Sequence, residues 1–143
     1  MSEPITALSR RHVFVYGTLR QGELRDITRM RPAGRFIGRA SVSGVLYHLG
    51  SYPGLVLGAA GAVVGEVYDI SAELELQLDL IEEVWPQPSG EYRKRQVLLR
   101  LVADSPAGAL ELDCLVYELA LERSLGRPVI ASGDWQEGRQ QRS

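Results

Sequence analysis

The chain has 143 residues, 45% of them apolar and 24% charged, with a net charge of −2. That length suits one domain with its own core, and the charge balance excludes wholesale attraction to nucleic acid or to an anionic membrane surface. No apolar run is long enough to cross a bilayer, the N-terminal MSEPITALSRRH lacks the apolar stretch of a signal peptide, and one cysteine with two histidines excludes an intrachain disulfide and leaves little for a metal site.

Residues 1–10 read as a loose arm, residues 11–135 as one domain, and residues 136–143 (QEGRQQRS), which have no apolar side chain, as a flexible tail. The first strand signal runs from Val13 to Tyr16, a continuous β-type run that stops on Gly17-Thr18. A weak helix or irregular connection covers 24–33. Ser43 to Leu49 is a second strand, closed by Gly50-Ser51. Leu55 to Leu57 follows the Tyr52-Pro53-Gly54 turn, and Ala62 to Ile70 is another strand. Ser71 to Glu83 breaks this rhythm: it is rich in Leu, Glu and Gln, and Ser71 stands where a helix N-cap belongs. Arg93 to Val102 and Leu110 to Leu119 pair across the turn at 104–108. The class is therefore α+β, mostly β, and many short strands with Gly-rich turns favour a barrel or a strongly curved sheet.

The turn after Tyr16 is the first candidate site. A glycine there lets the chain bend sharply and expose consecutive N–H groups, a setting for a carboxylate or a developing oxyanion. The same residues also read as an ordinary strand-ending turn, and GTLRQGEL fits neither a P-loop nor a dinucleotide fingerprint. The helix supplies the second candidate. At about 100° per residue, Leu74, Leu78, Ile81 and Trp85 share one face, with Glu82 about 60° from its centre and Glu83 roughly opposite. A carboxyl at the edge of an apolar face is desolvated, which raises its pKa and suits proton transfer near neutral pH. Leu76, Leu80 and Val84 form a second apolar face, and a core centred there would favour Glu83. Cys114, in LDCLVYEL, reads as a packed thiol, and His48, in LYHLG, as a strand residue. Arg93, Lys94 and Arg95 read as a solvated strand end. Tyr92 and Tyr117 can each place a hydroxyl in a pocket or simply pack in a strand.

Four blocks, in order, resemble the gamma-glutamylcyclotransferase-like family: FVYGTLRQGE; GVLYHLGSYPGLVL; VVGEVYDI with LQLDLIEEV and GEYRKRQV; and CLVYEL with GRPVIASGDW. They span residues 12–135. The resemblance implies a small closed mixed β-barrel with a few helices packed around it. It also implies an activity, in which the α-amino group of a γ-glutamyl amine or peptide attacks its own γ-carbonyl to give 5-oxoproline and a free amine. By motif, Glu82, the fifth residue of Leu78-Asp79-Leu80-Ile81-Glu82, is the general acid/base. The turn Tyr16-Gly17-Thr18-Leu19 holds the glutamyl group, and Tyr92 and Tyr117 stand near the pocket. The resemblance implies no cofactor and no metal. It implies a small-molecule partner rather than nucleic acid or membrane, in a cytoplasmic monomer or homodimer.

The chain departs from the family pattern in places. Glu83 stands where the family usually has Gly, and Leu24-Arg25-Asp26-Ile27 where many relatives carry Asn-His. The insert from Trp85 to Gly90 is expected at a pocket rim. These departures leave a second reading open, a non-catalytic small-molecule binding or regulatory module of the same fold. A third, a lyase or hydrolase run by two carboxylates, requires a second acid facing Glu82, with Glu66 or Asp113 nearest by strand placement.

Overall fold

The protein is described here by a computed structural model that covers residues 11–83 and 89–137. The expected arm at 1–10, residues 84–88 of the insert, and residues 138–143 of the tail lie outside the described residues. Five strands, β1 (Arg11–Val15), β2 (Arg35–His48), β3 (Pro53–Ile70), β4 (Tyr92–Arg100) and β5 (Glu111–Leu119), form one sheet in the order β2-β3-β1-β5-β4. The sheet is mixed: β1 runs parallel to β5, and every other pair is antiparallel. It curls until its two ends meet, where Val102 N donates to Arg39 O at 2.8 Å and Ala107 N to Ile37 O at 3.2 Å. Helix α1 (Ala72–Ile81) packs on the outside.

Side-chain alternation divides the apolar residues between two cores. Phe14, Val42, Leu46, Leu55, Val67, Leu99, Cys114 and Val116 fill the inside of the curled sheet. Val13, Val15, Tyr68, Ile70, Leu115 and Tyr117 face the other way and meet Leu74 and Leu78 of α1. The middle strand β1 is thus buried on both faces, which is why Val13-Phe14-Val15 is an unbroken apolar run.

The long β2–β3 hairpin differs from the sequence expectation. Residues 35–42 are strand, and the two segments expected at 55–57 and 62–70 are parts of the one strand β3. The register shifts between Ser43 and Gly44, and Gly61 opposite adopts a left-handed φ of 72°. An irregularity therefore bends the pair without interrupting it, and small residues in that stretch concealed the strand. The 24–33 connection holds a short 3-10 turn at Ile27–Arg29, capped by Asp26, which accepts from Thr28 N at 2.8 Å. Helix α1 begins as expected, with Ser71 Oγ accepting from Leu74 N at 3.1 Å. Its buried face is Leu74 and Leu78, whereas Leu76 and Leu80 are 48% and 56% exposed, so the core lies on the Glu82 side. No helix among the described residues is long and apolar enough to cross a membrane.

Candidate active site

Where β1 ends, the chain turns over the mouth of a cavity of about 240 Å³. Arg20 N donates to Gly17 O at 3.0 Å, closing a turn over Gly17-Thr18-Leu19, and Arg25 N and Ile27 N bond to Thr18 O and Leu19 O. The turn is thus pinned through its carbonyls. The N–H groups of Gly17, Thr18 and Leu19 have no acceptor among the described residues, and all three residues line the cavity. Glycine is needed at 17 for a different reason from the one expected. Its φ is not left-handed; a Cβ there would stand 2.5 Å from Pro53 Cγ, so only glycine lets the turn lie against the β3 proline.

The end of α1 forms the facing wall. Glu82 is the C-cap residue, its N–H donating to Leu78 O at 2.9 Å. Its half-buried carboxyl accepts from no donor among the described residues. Burial raises its pKa to about 7; the Arg25 charge opposes that shift, and Glu91 and Glu83 add to it. Glu83 is exposed and sits at φ 57°, the left-handed position that follows many helices and favours glycine.

Three buried tyrosines complete the cavity. Tyr16 donates its hydroxyl hydrogen to Tyr117 O at 2.6 Å and accepts from Leu55 N at 3.3 Å. Tyr92 donates to Pro53 O at 2.7 Å, and Tyr117 to Asp79 Oδ1 at 2.7 Å. Burial is the first cause that pushes all three phenols well above their ordinary pKa, so they stay neutral. Their hydrogens are committed inward, which leaves the N–H groups of the turn, with the side chains of Thr18, Ser51 and Arg25 that also line the cavity, as the donors available to an anionic oxygen there.

The structure brings Tyr16, Gly17, Thr18, Leu19, Glu82, Tyr92 and Tyr117 to one cavity. Leu24 and Arg25, from the stretch that departs from the family pattern, stand at its edge. Of the other sequence expectations, those for Glu66, Asp113 and Lys94 are corrected, and those for Cys114 and His48 hold. Glu66 does not face Glu82; it accepts from Arg20 Nε, Gln21 N and Tyr68 OH, and Asp113 is an exposed residue of β5. The other acids that line the cavity are Glu83, at its exposed edge, and Glu91, which accepts from Tyr52 OH at 2.7 Å. Lys94 is not a solvated strand end: its ammonium lies between Asp79, at 3.0 Å, and Glu75. Cys114 is packed in the inner core, where burial pushes its thiol up to about 12. His48 accepts from Gly50 N and stacks near Trp135, away from the cavity. Sequence reasoning missed Asp79, although its place three residues before Glu82 puts the two acids on adjoining parts of one helical face. It also missed Glu91, which immediately precedes β4; the sequence carries no signal for it, since in an extended chain the neighbour of Tyr92 is expected on the opposite face.

The comparisons with known proteins agree with this geometry. The family model described as "Gamma-glutamyl cyclotransferase, AIG2-like" matches residues 13–137. The chain belongs to this family. Among its relatives, a Vibrio cholerae protein named "Putative gamma-glutamylcyclotransferase" is 35% identical over 125 residues, covering 86% of this chain and 93% of that one. The gamma-L-glutamyl-butirosin B gamma-glutamyl cyclotransferase of Niallia circulans is 41% identical over 73 residues, half of this chain and 46% of that one. The crystal structure of a mouse AIG2-like protein superposes with a TM-score of 0.69 at 24% identity, covering 83% of this chain and 84% of that one, and shows the same fold.

Proposed function

We propose that the protein is a cofactor-free γ-glutamyl cyclotransferase in which Glu82 is the general acid/base. The carrying observation is that Glu82, with its pKa raised to about 7, shares one cavity with the N–H groups of Gly17, Thr18 and Leu19, and that among the described residues neither the carboxyl nor these N–H groups have a hydrogen-bond partner. The substrate is a small γ-glutamyl amine or peptide, folded so that its α-amine meets its γ-carbonyl. Holding those two groups together supplies much of the rate, because ring closure is then a matter of orientation.

In the first step the bound ammonium, having released one proton to solvent, attacks as the neutral amine: its nitrogen bonds to the γ-carbon and Glu82 takes a proton from it. The carbonyl oxygen becomes anionic, and the turn's N–H groups are the donors placed to stabilise the substrate's anionic oxygens. In the second step the bond from the γ-carbon to the leaving nitrogen breaks, and Glu82 returns its proton to that nitrogen. 5-Oxoproline and a free amine leave. A carboxyl that titrates near pH 7 serves both steps, since it exists in both forms at neutral pH.

The test is 5-oxoproline release from a panel of γ-glutamyl amines. Glu82→Gln is expected to lower kcat by about 10²–10⁴-fold, with an unchanged circular dichroism spectrum. Unchanged turnover on substrates that the wild type cleaves would sink the assignment. Tight binding by the wild type with no product from any member of the panel would favour a binding module of the same fold.

A further inference from the structure

Tyr117 lines the cavity, is buried, and donates its hydroxyl hydrogen to Asp79 Oδ1 at 2.7 Å. Asp79 is buried as well, and its other oxygen accepts from Lys94 Nζ at 3.0 Å. Lys94 also pairs with Glu75, one turn earlier on α1, so the ammonium is held between two carboxylates and fixes the Asp79 side chain in turn. A phenol has one hydrogen and two lone pairs. With its hydrogen spent on Asp79, the Tyr117 oxygen can only accept from a group in the cavity. Burial first, and the Asp79 bond second, hold that hydrogen in place by raising the phenol's pKa. Asp79 and Glu82 are also the carboxylates that act most strongly on this hydroxyl, so the Tyr117 oxygen stands in a negative field. Tyr16 differs: its oxygen already accepts from Leu55 N.

We propose that Asp79 is a positioning residue that holds the Tyr117 hydroxyl hydrogen, so that the phenol oxygen accepts an N–H of the substrate's α-ammonium group beside Glu82. This rests on the γ-glutamyl reading above and gives it a recognition element. The α-ammonium is the one group of a γ-glutamyl moiety that is cationic and rich in N–H donors. An acceptor oxygen backed by a buried carboxylate suits that group, and it rejects a carboxylate or carbonyl oxygen, for which it has no hydrogen. Fixing the nitrogen there also keeps it near the carboxyl that must take its proton.

Two probes separate this role from a purely structural one: L-γ-glutamyl-n-butylamide, and N-butylglutaramic acid, which is the same chain without the α-amine. The wild type is expected to have a KM for the first about 10- to 100-fold below its Ki for the second, the range for a hydrogen bond to a charged group. Tyr117→Phe should raise that KM by a similar factor while the Ki moves by less than about threefold. If Tyr117→Phe alone does not fold, because Asp79 is left facing a bare ring, Asp79→Asn/Tyr117→Phe removes the stranded charge and carries the same measurement. Equal affinities in the wild type, or parallel changes in both constants, overturn the proposal. If the wild type releases no 5-oxoproline from the amide, the cyclotransferase reading falls first and this inference falls with it.

Discussion

Glu66 on β3 accepts from the Arg20 guanidinium, the Gln21 N–H and the Tyr68 hydroxyl, whereas the Glu82 carboxyl at the end of α1 accepts from no donor among the described residues. Arg20, which follows the cavity turn directly, reaches away from the cavity to Glu66 at 3.1 Å and to Asp134 at 2.9 Å. Both glutamates are withdrawn from solvent, so burial alone does not separate them. What separates them is whether the fold supplies donors. A buried carboxylate whose oxygens accept from several donors holds structure together. One buried without donors has its proton affinity raised toward neutral pH and remains free to exchange that proton.

The largest expected effect breaks the bonded member of the pair. Glu66→Leu takes one of the carboxylates that balance Arg20 out of the interior and should lower unfolding free energy by about 3–5 kcal/mol, read from urea midpoints. Glu66→Leu/Arg20→Met, which removes both charges, should recover most of that loss. A double variant no better than the single one would show that the Arg20–Glu66 pair is not what that stability depends on.

The second prediction concerns the unbonded member and carries the opposite sign. The folded pKa of Glu82, about 7, lies above its ordinary value of 4.5. Its favourable contribution is therefore fully present below pH 4.5, where folded and unfolded chains are both protonated. It is lost as the pH rises toward 7, because the folded state must then bury a charge. Glu82→Gln should match the wild type in stability near pH 4 and exceed it above pH 7. At a half-buried site the gain is on the order of 1–2 kcal/mol. A difference between the two proteins that does not change with pH would mean that Glu82 is well solvated.

The same contrast explains what the sequence made legible. Apolar periodicity narrowed the buried side of the helix to two faces, Leu74 with Leu78 or Leu76 with Leu80, because burial of a helix face is largely a local property, and the structure buries the first, on the side where Glu82 lies. The run Val13 to Tyr16 likewise announced a strand, and the structure shows that residues 13–15 of it are buried on both faces. Donor supply is not local. The partners of Glu66 come from residues 20, 21 and 68, and those of Asp79 from residues 94 and 117. Nothing in the spacing of these residues says that they meet, so Glu66 passed for a cavity acid and Lys94 for a solvated one. The continuous strand β3 was likewise hidden, because its length depends on pairing with β2 through a register shift. Glu91 reached the cavity unseen, next to a tyrosine that also lines it.

The smallest expected effect lies one residue beyond Glu82. Glu83 holds a left-handed φ of 57°, a conformation that costs a residue with a Cβ roughly 1–2 kcal/mol. Its carbonyl accepts from Ser89 N at 2.9 Å, a backbone bond that glycine would keep. Glu83→Gly removes the strain but adds freedom to the unfolded chain, which offsets about 0.5–1 kcal/mol of the relief. A net gain of about 0.5–1 kcal/mol in unfolding free energy is expected. The same change removes a negative charge that helps to raise the Glu82 pKa. The limb of the kcat/KM profile assigned to Glu82 should therefore move to lower pH, while the profile keeps its shape. If Glu83→Gly is destabilising, the Glu83 side chain makes contacts that outweigh its backbone strain. If the limb stays where it is, burial and Glu91 suffice to set the proton affinity of Glu82 without help from its neighbour.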